Sequence, residues 1–145
     1  MAHARQQIRD AIVTAVTGLI TTGSNVHNSP VYPFDVLPCL AVYSRTESAA
    51  FDGITSPRNS VRELEIIIEA RAKATSGNAN TIDTICAEVE TALAADVTLG
   101  GLARDLMASG FDMQLSGDAD KPTMLGTMRV LVRYRVKENA PEVLI

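Results

Sequence analysis

Hydrophobic and polar positions alternate most regularly over residues 61–73, VRELEIIIEARAK. Leu64, Ile66, Ile68, Ala70 and Ala72 share one side; Glu63, Glu65, Glu69 and Arg71 share the other, with Ile67 the one apolar exception. A period of two is the mark of a strand with one face on a core and the other toward water or a partner. Residues 128–137, MRVLVRYRVK, repeat the pattern with opposite charge. Met128, Val130, Val132, Tyr134 and Val136 face one way, and Arg129, Arg133, Arg135 and Lys137 the other. The last strand is expected over 123–137.

Two stretches change period. Ile8, Ile12, Ala15, Val16 and Leu19 recur at helical spacing over residues 3–20, with Gly18 weakening the last turn. Ile82, Ile85, Cys86, Val89, Ala92 and Leu93 form the second and better helical stripe, preceded by the turn and cap residues of 75–80. Between the helices, residues 26–32 are β-prone, Pro33 and Pro38 fix an entrance, and 39–46 reads as a compact strand. Residues 47–60, ESAAFDGITSPRNS, read as a long loop in which Phe51 and Ile54 are the apolar anchors and Arg58 the cation. Those anchors either fold back on the body or dock on a partner. Over 102–116 the alternation slips, Leu102 and Leu106 in one phase and Phe111, Met113 and Leu115 in the other. A bulge near Ser109–Gly110 reconciles the two phases. Residues 138–145 end apolar in Val143, Leu144 and Ile145, as a frayed end or an arm onto a neighbouring subunit.

These elements predict an α+β fold. It is a two-layer sandwich with two helices on one face of a mostly antiparallel sheet of about four to five strands, and a long loop between strands 2 and 3. Residues 1–137 form the single domain and 138–145 a C-terminal arm.

Composition narrows the class. A chain of 145 residues is large enough for one core, and 46% hydrophobic with 21% charged residues argues against disorder. A net charge of −4 gives no reason to expect nucleic-acid recognition, so the basic strand face is a local feature suited to an acidic protein surface. No apolar run reaches membrane-spanning length and no signal-peptide core opens the chain, so a cytoplasmic product is expected unless a larger particle carries it out. Cys39 and Cys86 sit on apolar stripes without CxxC spacing and read as small core residues.

The search for chemistry yields no catalytic set. His3 and His27 are the only histidines, and neither has a nucleophile or acidic pair at motif spacing. Gly100–Gly101 terminates a helix rather than cradling phosphate. Asp118 and Asp120 flank a turn but lack the other positions of a calcium loop. No metal, cofactor or catalytic residue is expected. The two charged faces have two readings. Either the acidic strand (Glu63, Glu65, Glu69) and the basic strand (Arg129, Arg133, Arg135) are neighbours in one sheet, or each presents its stripe to another subunit.

The order of segments resembles a known family. A helix RQQIRDAIVTAVTGL precedes VYP and LPCLAVYSRTE, then a loop, RELEIIIEARAKA, the helix and exit IDTICAEVETALAADVTLGGLARDL, a strand, and finally RVLVRYRVKENAPEVLI. This is similar to the tail terminator (minor tail protein U-like) family of long-tailed bacteriophages, over nearly the whole chain. The resemblance implies a non-enzymatic subunit that forms a ring, usually of six. Such rings cap the tail tube protein, stop its polymerisation and offer a face to the head–tail connector or neck protein, within a virion assembled in the bacterial cytoplasm. It carries over no interface residue. The candidates from residue chemistry are Phe51, Ile54, Arg58, Glu63, Glu65, Glu69, Arg129, Arg133, Arg135, Leu144 and Ile145. A neck or tail-completion protein of another kind, and a small-ligand-binding α+β domain, are the competing readings.

Overall fold

The computed structural model describes residues 2–31, 37–73, 78–118 and 121–145. Tyr32, Pro33, the turn residues 75–77 and Asp120 lie outside the described residues. The chain runs α1 (Ala4–Val16), β1 (Val26–His27), β2 (Cys39–Phe51), β3 (Asn59–Lys73), α2 (Asn78–Ala94), β4 (Asp105–Asp118), β5 (Lys121–Lys137) and β6 (Ala140–Leu144). The strands form one six-stranded sheet ordered β1-β2-β3-β5-β4, with β6 also on β5. Every pairing is antiparallel except the two-residue β1–β2 contact. The α+β architecture expected from the alternation is the one observed.

Alternation explains why the sheet has one covered face. Leu64, Ile66, Ile68, Ala70 and Ala72 of β3 and Met128, Val130, Val132, Tyr134 and Val136 of β5 are all buried. They join one core with Ala4, Ile8, Ile12 and Val16 of α1 and Ile82, Ile85, Val89 and Leu93 of α2. Each fully buried large aliphatic contributes roughly 1.5–3 kcal/mol before ordering entropy is counted. The close fit of α2 on the sheet depends on Gly126, where a Cβ would lie 2.6 Å from a methyl of Ile82. The thiols of Cys39 and Cys86 are buried and free, and burial pushes each up to about 11, which keeps both protonated and unreactive at neutral pH.

Several boundaries move. The first helix stops at Val16 rather than running to residue 20, because Thr17 is extended and Gly18 takes a φ of +90° that ends the helical path. The expected loop 47–60 shrinks to residues 52–58. Glu47 to Phe51 continue β2, and they pair with β3 through Phe51 opposite Ser60. The slip in β4 is a bulge between Ala108 and Gly110, which brings Leu106 and Phe111 onto the same, helix-covered side, opposite Val132 and Met128. A second bulge, not foreseen, lies in β2 between Ser44 and Thr46 and turns Arg45 outward. The terminal stretch forms β6 on its own subunit. β4 begins opposite Arg133, so the edge of β5 beyond that point is open, and β6 takes it with Val136 opposite Leu144.

Candidate functional site

The helix-free face of the sheet carries most of the charged candidates. β3 and β5 are neighbours, and Glu63 stands directly opposite Arg133 with its carboxylate 2.6 Å from the guanidinium. That hydrogen bond holds the Arg133 proton more tightly than usual. The other expected pairings take different partners. Glu65 is opposite Leu131 and reaches Arg45 in the β2 bulge at 3.7 Å. Glu69 is opposite Thr127 and accepts a 2.7 Å hydrogen bond from the Tyr43 hydroxyl. Arg129 lies over Gly110 and pairs with Asp112 of β4, and Arg135 pairs with Asp52 at the start of the 52–58 loop. Opposite charge was the right criterion for adjacency of the two strands. Of the six residues only Glu63 and Arg133 meet across the two strands, because strand register and diagonal reach decide which tips meet.

Ile67 explains its own exception. It is buried on the helix-free side, in the row between Tyr43 and Arg129, so this face has a small apolar patch beneath its charges. Next to that patch, Glu63, Asp105, Met107, Leu131 and Arg133 line an open hollow of about 210 Å³.

The 52–58 loop resolves into one tethered anchor and one projecting one. Arg58 stacks over the Phe51 ring at 4.0 Å and binds Glu138 at 2.9 Å, while the Arg58 amide donates to the same carboxylate. Those donors, the backbone amide first, hold the Glu138 carboxyl below its ordinary range. Phe51 is half exposed under this clamp, whereas Ile54 is 97% exposed at the tip. At the chain end, Leu144 packs against the core of its own subunit. The Ile145 amide donates to the Arg135 carbonyl, and its own oxygen accepts from Arg104 at 3.1 Å.

Two features had escaped sequence reasoning. The first is a polar cluster at the N-terminal end of α1, centred on Glu47. Its carboxylate lies 2.8 Å from Arg5 and 3.5 Å from Arg62, and accepts a hydrogen bond from the Tyr134 hydroxyl. Burial, then the Glu47 contact, raises the Tyr134 pKa, so the hydroxyl stays a donor. His3 caps α1 by accepting from the Arg5 amide at 3.1 Å, and burial with the nearby arginines lowers its pKa. The phase of residues 39–46 would place Glu47 on the helix-free face; the bulge at Arg45 reverses that phase and turns Glu47 to the covered side, opposite Leu64, so the sequence carried no signal for it. The second is a tight turn over 18–23, closed by hydrogen bonds of 2.8 and 2.7 Å between Gly18 and Gly23 and between Gly23 and Leu19. Glu88 of α2 grips Thr21 at 3.0 and 2.5 Å, and Ile20 projects 95% exposed. Two glycines flanking an isoleucine were the clue.

The arrangement can therefore bind protein surfaces through projecting apolar tips and charged strands. Among the described residues, no group of three His, Cys, Asp or Glu side chains is placed to hold a metal ion. No family model and no curated protein matches this chain. A chain from the "Virion of native gene transfer agent (GTA) particle" is similar in structure at a TM-score of 0.35 and 18% identity, over 90% of this chain and 92% of that one. A similarity of that size bears on neither fold nor function.

Proposed function

We propose that this protein is a non-enzymatic structural subunit of a phage-like virion, specifically a tail terminator. In this reading copies assemble into a ring, most simply of six. The ring caps the tail tube protein, stops tube growth and then offers its other face to the head–tail connector or neck protein. Its place is the neck-proximal end of the tail, reached after assembly in a bacterial cytoplasm. The observation that carries the reading is the order of segments from RQQIRDAIVTAVTGL to RVLVRYRVKENAPEVLI, which resembles that family across nearly the whole chain. The fold supports it through exposed apolar tips at Ile20 and Ile54, suited to protein contacts.

Deleting the gene and measuring tails by electron microscopy tests this. Overlong, headless tails are the expected result. Tails of normal length that fail to join heads would replace the terminator with a joining factor, and normal complete particles would remove both.

A further inference from the structure

Among the described residues both flanks of the sheet carry open edge. There β4 pairs only with β5, so Asp105–Asp118 presents an unpaired edge. On the other flank β1 covers β2 at Leu40 and Ala41, and among the described residues the edge from Ser44 to Phe51 has no strand beside it. Long exposed edges are templates for another strand, and proteins normally blunt or cover them. Here they also carry exposed apolar side chains: Met107, Phe111 and Leu115 on β4, and Phe51 on β2. We infer that these edges meet between copies, β4 of one subunit against β2 of the next, joining the sheets into one antiparallel surface around the ring.

Strand direction supports this partner. β2, β3, β5 and β4 alternate in direction across the sheet, so β4 runs opposite to β2. A copy rotated about an axis along the strands therefore brings its β2 antiparallel to the first copy's β4, with the helices kept on one side. That contact is heterologous and closes into a ring if the rotation permits. Charge selects it over pairing of like edges. Among its described side chains β4 carries Asp105 and Asp112 and no cation, whereas the outward charge of β2 is Arg45, 60% exposed in its bulge. Glu47, the other charge of β2, is turned inward to Arg5 and Arg62 and is 12% exposed. Two β4 edges would set aspartates against aspartates, and two β2 edges Arg45 against Arg45. The β4–β2 junction sets opposite charges together.

This inference rests on the ring reading above but has its own test. Thr46 and Met107 stand in one row of the sheet, through Glu65 and Leu131. Three strand spacings separate them within a subunit, about 14 Å. A thiol cross-linker shorter than that span can join them only between subunits. Thr46→Cys and Met107→Cys proteins, each intact by circular dichroism, are treated singly, mixed, and as the double variant, beside sedimentation of the parent. The expected outcome is no cross-linking of either single variant, dimers in the mixture and a ladder in the double variant. Dimers of a single variant would show like edges meeting and overturn the inference. So would a monomeric parent at every concentration, or an oligomer whose mixed variants do not cross-link. Overlong tails on gene deletion combined with failed cross-linking would leave the terminator reading standing and remove only the edge contact.

Discussion

On the helix-covered side of β3, Ile66 and Ile68 are wholly buried among aliphatic neighbours from both helices; on the other side of the same strand, Glu63 shares a hydrogen bond with Arg133 while both stay about half exposed. One run of backbone therefore separates two kinds of cohesion. The covered side excludes water, so its stabilisation scales with apolar area and is insensitive to salt. The charged side remains solvated, so its pairs are screened within about 8 Å at physiological ionic strength and add little to stability. The covered face holds the subunit together, and the helix-free face keeps its charges in water.

The contrast can be broken most directly at Ile66. Ile66→Ala is expected to cost about 2–5 kcal/mol in urea unfolding, since the site is fully enclosed and cannot collapse freely. A loss well under about 1 kcal/mol would mean that the covered face is not the tight core described. Next in size is Gly126→Ala, where the new methyl meets Ile82 at 2.6 Å and should cost about 1–3 kcal/mol by overpacking. Adding Ile82→Ala should recover part of that loss, and strict additivity of the two changes would deny the contact. The smallest effect belongs to Glu63→Gln. Its thermal midpoint should differ slightly from the parent at low ionic strength and converge with it in high salt. A difference that persists in high salt would place this pair among the buried interactions.

How much of this was legible in the sequence follows the same division. Leu64 to Ala72 and Met128 to Val136 announced the covered face, because burial imposes a strict period of two that any polar residue would interrupt. Even the β4 bulge showed, as the phase slip between Leu106 and Phe111. The length of the β2–β3 hairpin did not. Residues 47–50 are small or polar and take their strand conformation from pairing with β3, a tertiary effect that local composition does not carry. The charged partners were equally hidden. Arg129 meets Asp112 and Arg135 meets Asp52 because of register and loop path, and no charge pattern along the chain records either. The terminal stretch docks at home for a similar reason, as Asp105 happens to start β4 opposite Arg133 and leaves β6 a vacant length of β5.

The two bulges fall almost in one row. The β2 irregularity sits opposite Ile66 and Glu65, these face Val130 and Leu131, and the β4 irregularity sits beside Val130 and Arg129. A bulge bends its own strand and sharpens the local twist, and here the extra residue of β2 and that of β4 lie at nearly the same level of the sheet. Losing Ser109 alone would remove the extra residue and leave Ala108, Gly110 and Phe111 opposite Val130, Arg129 and Met128 in an unbroken ladder, so a single-codon deletion there is expected to keep both faces and straighten the strand.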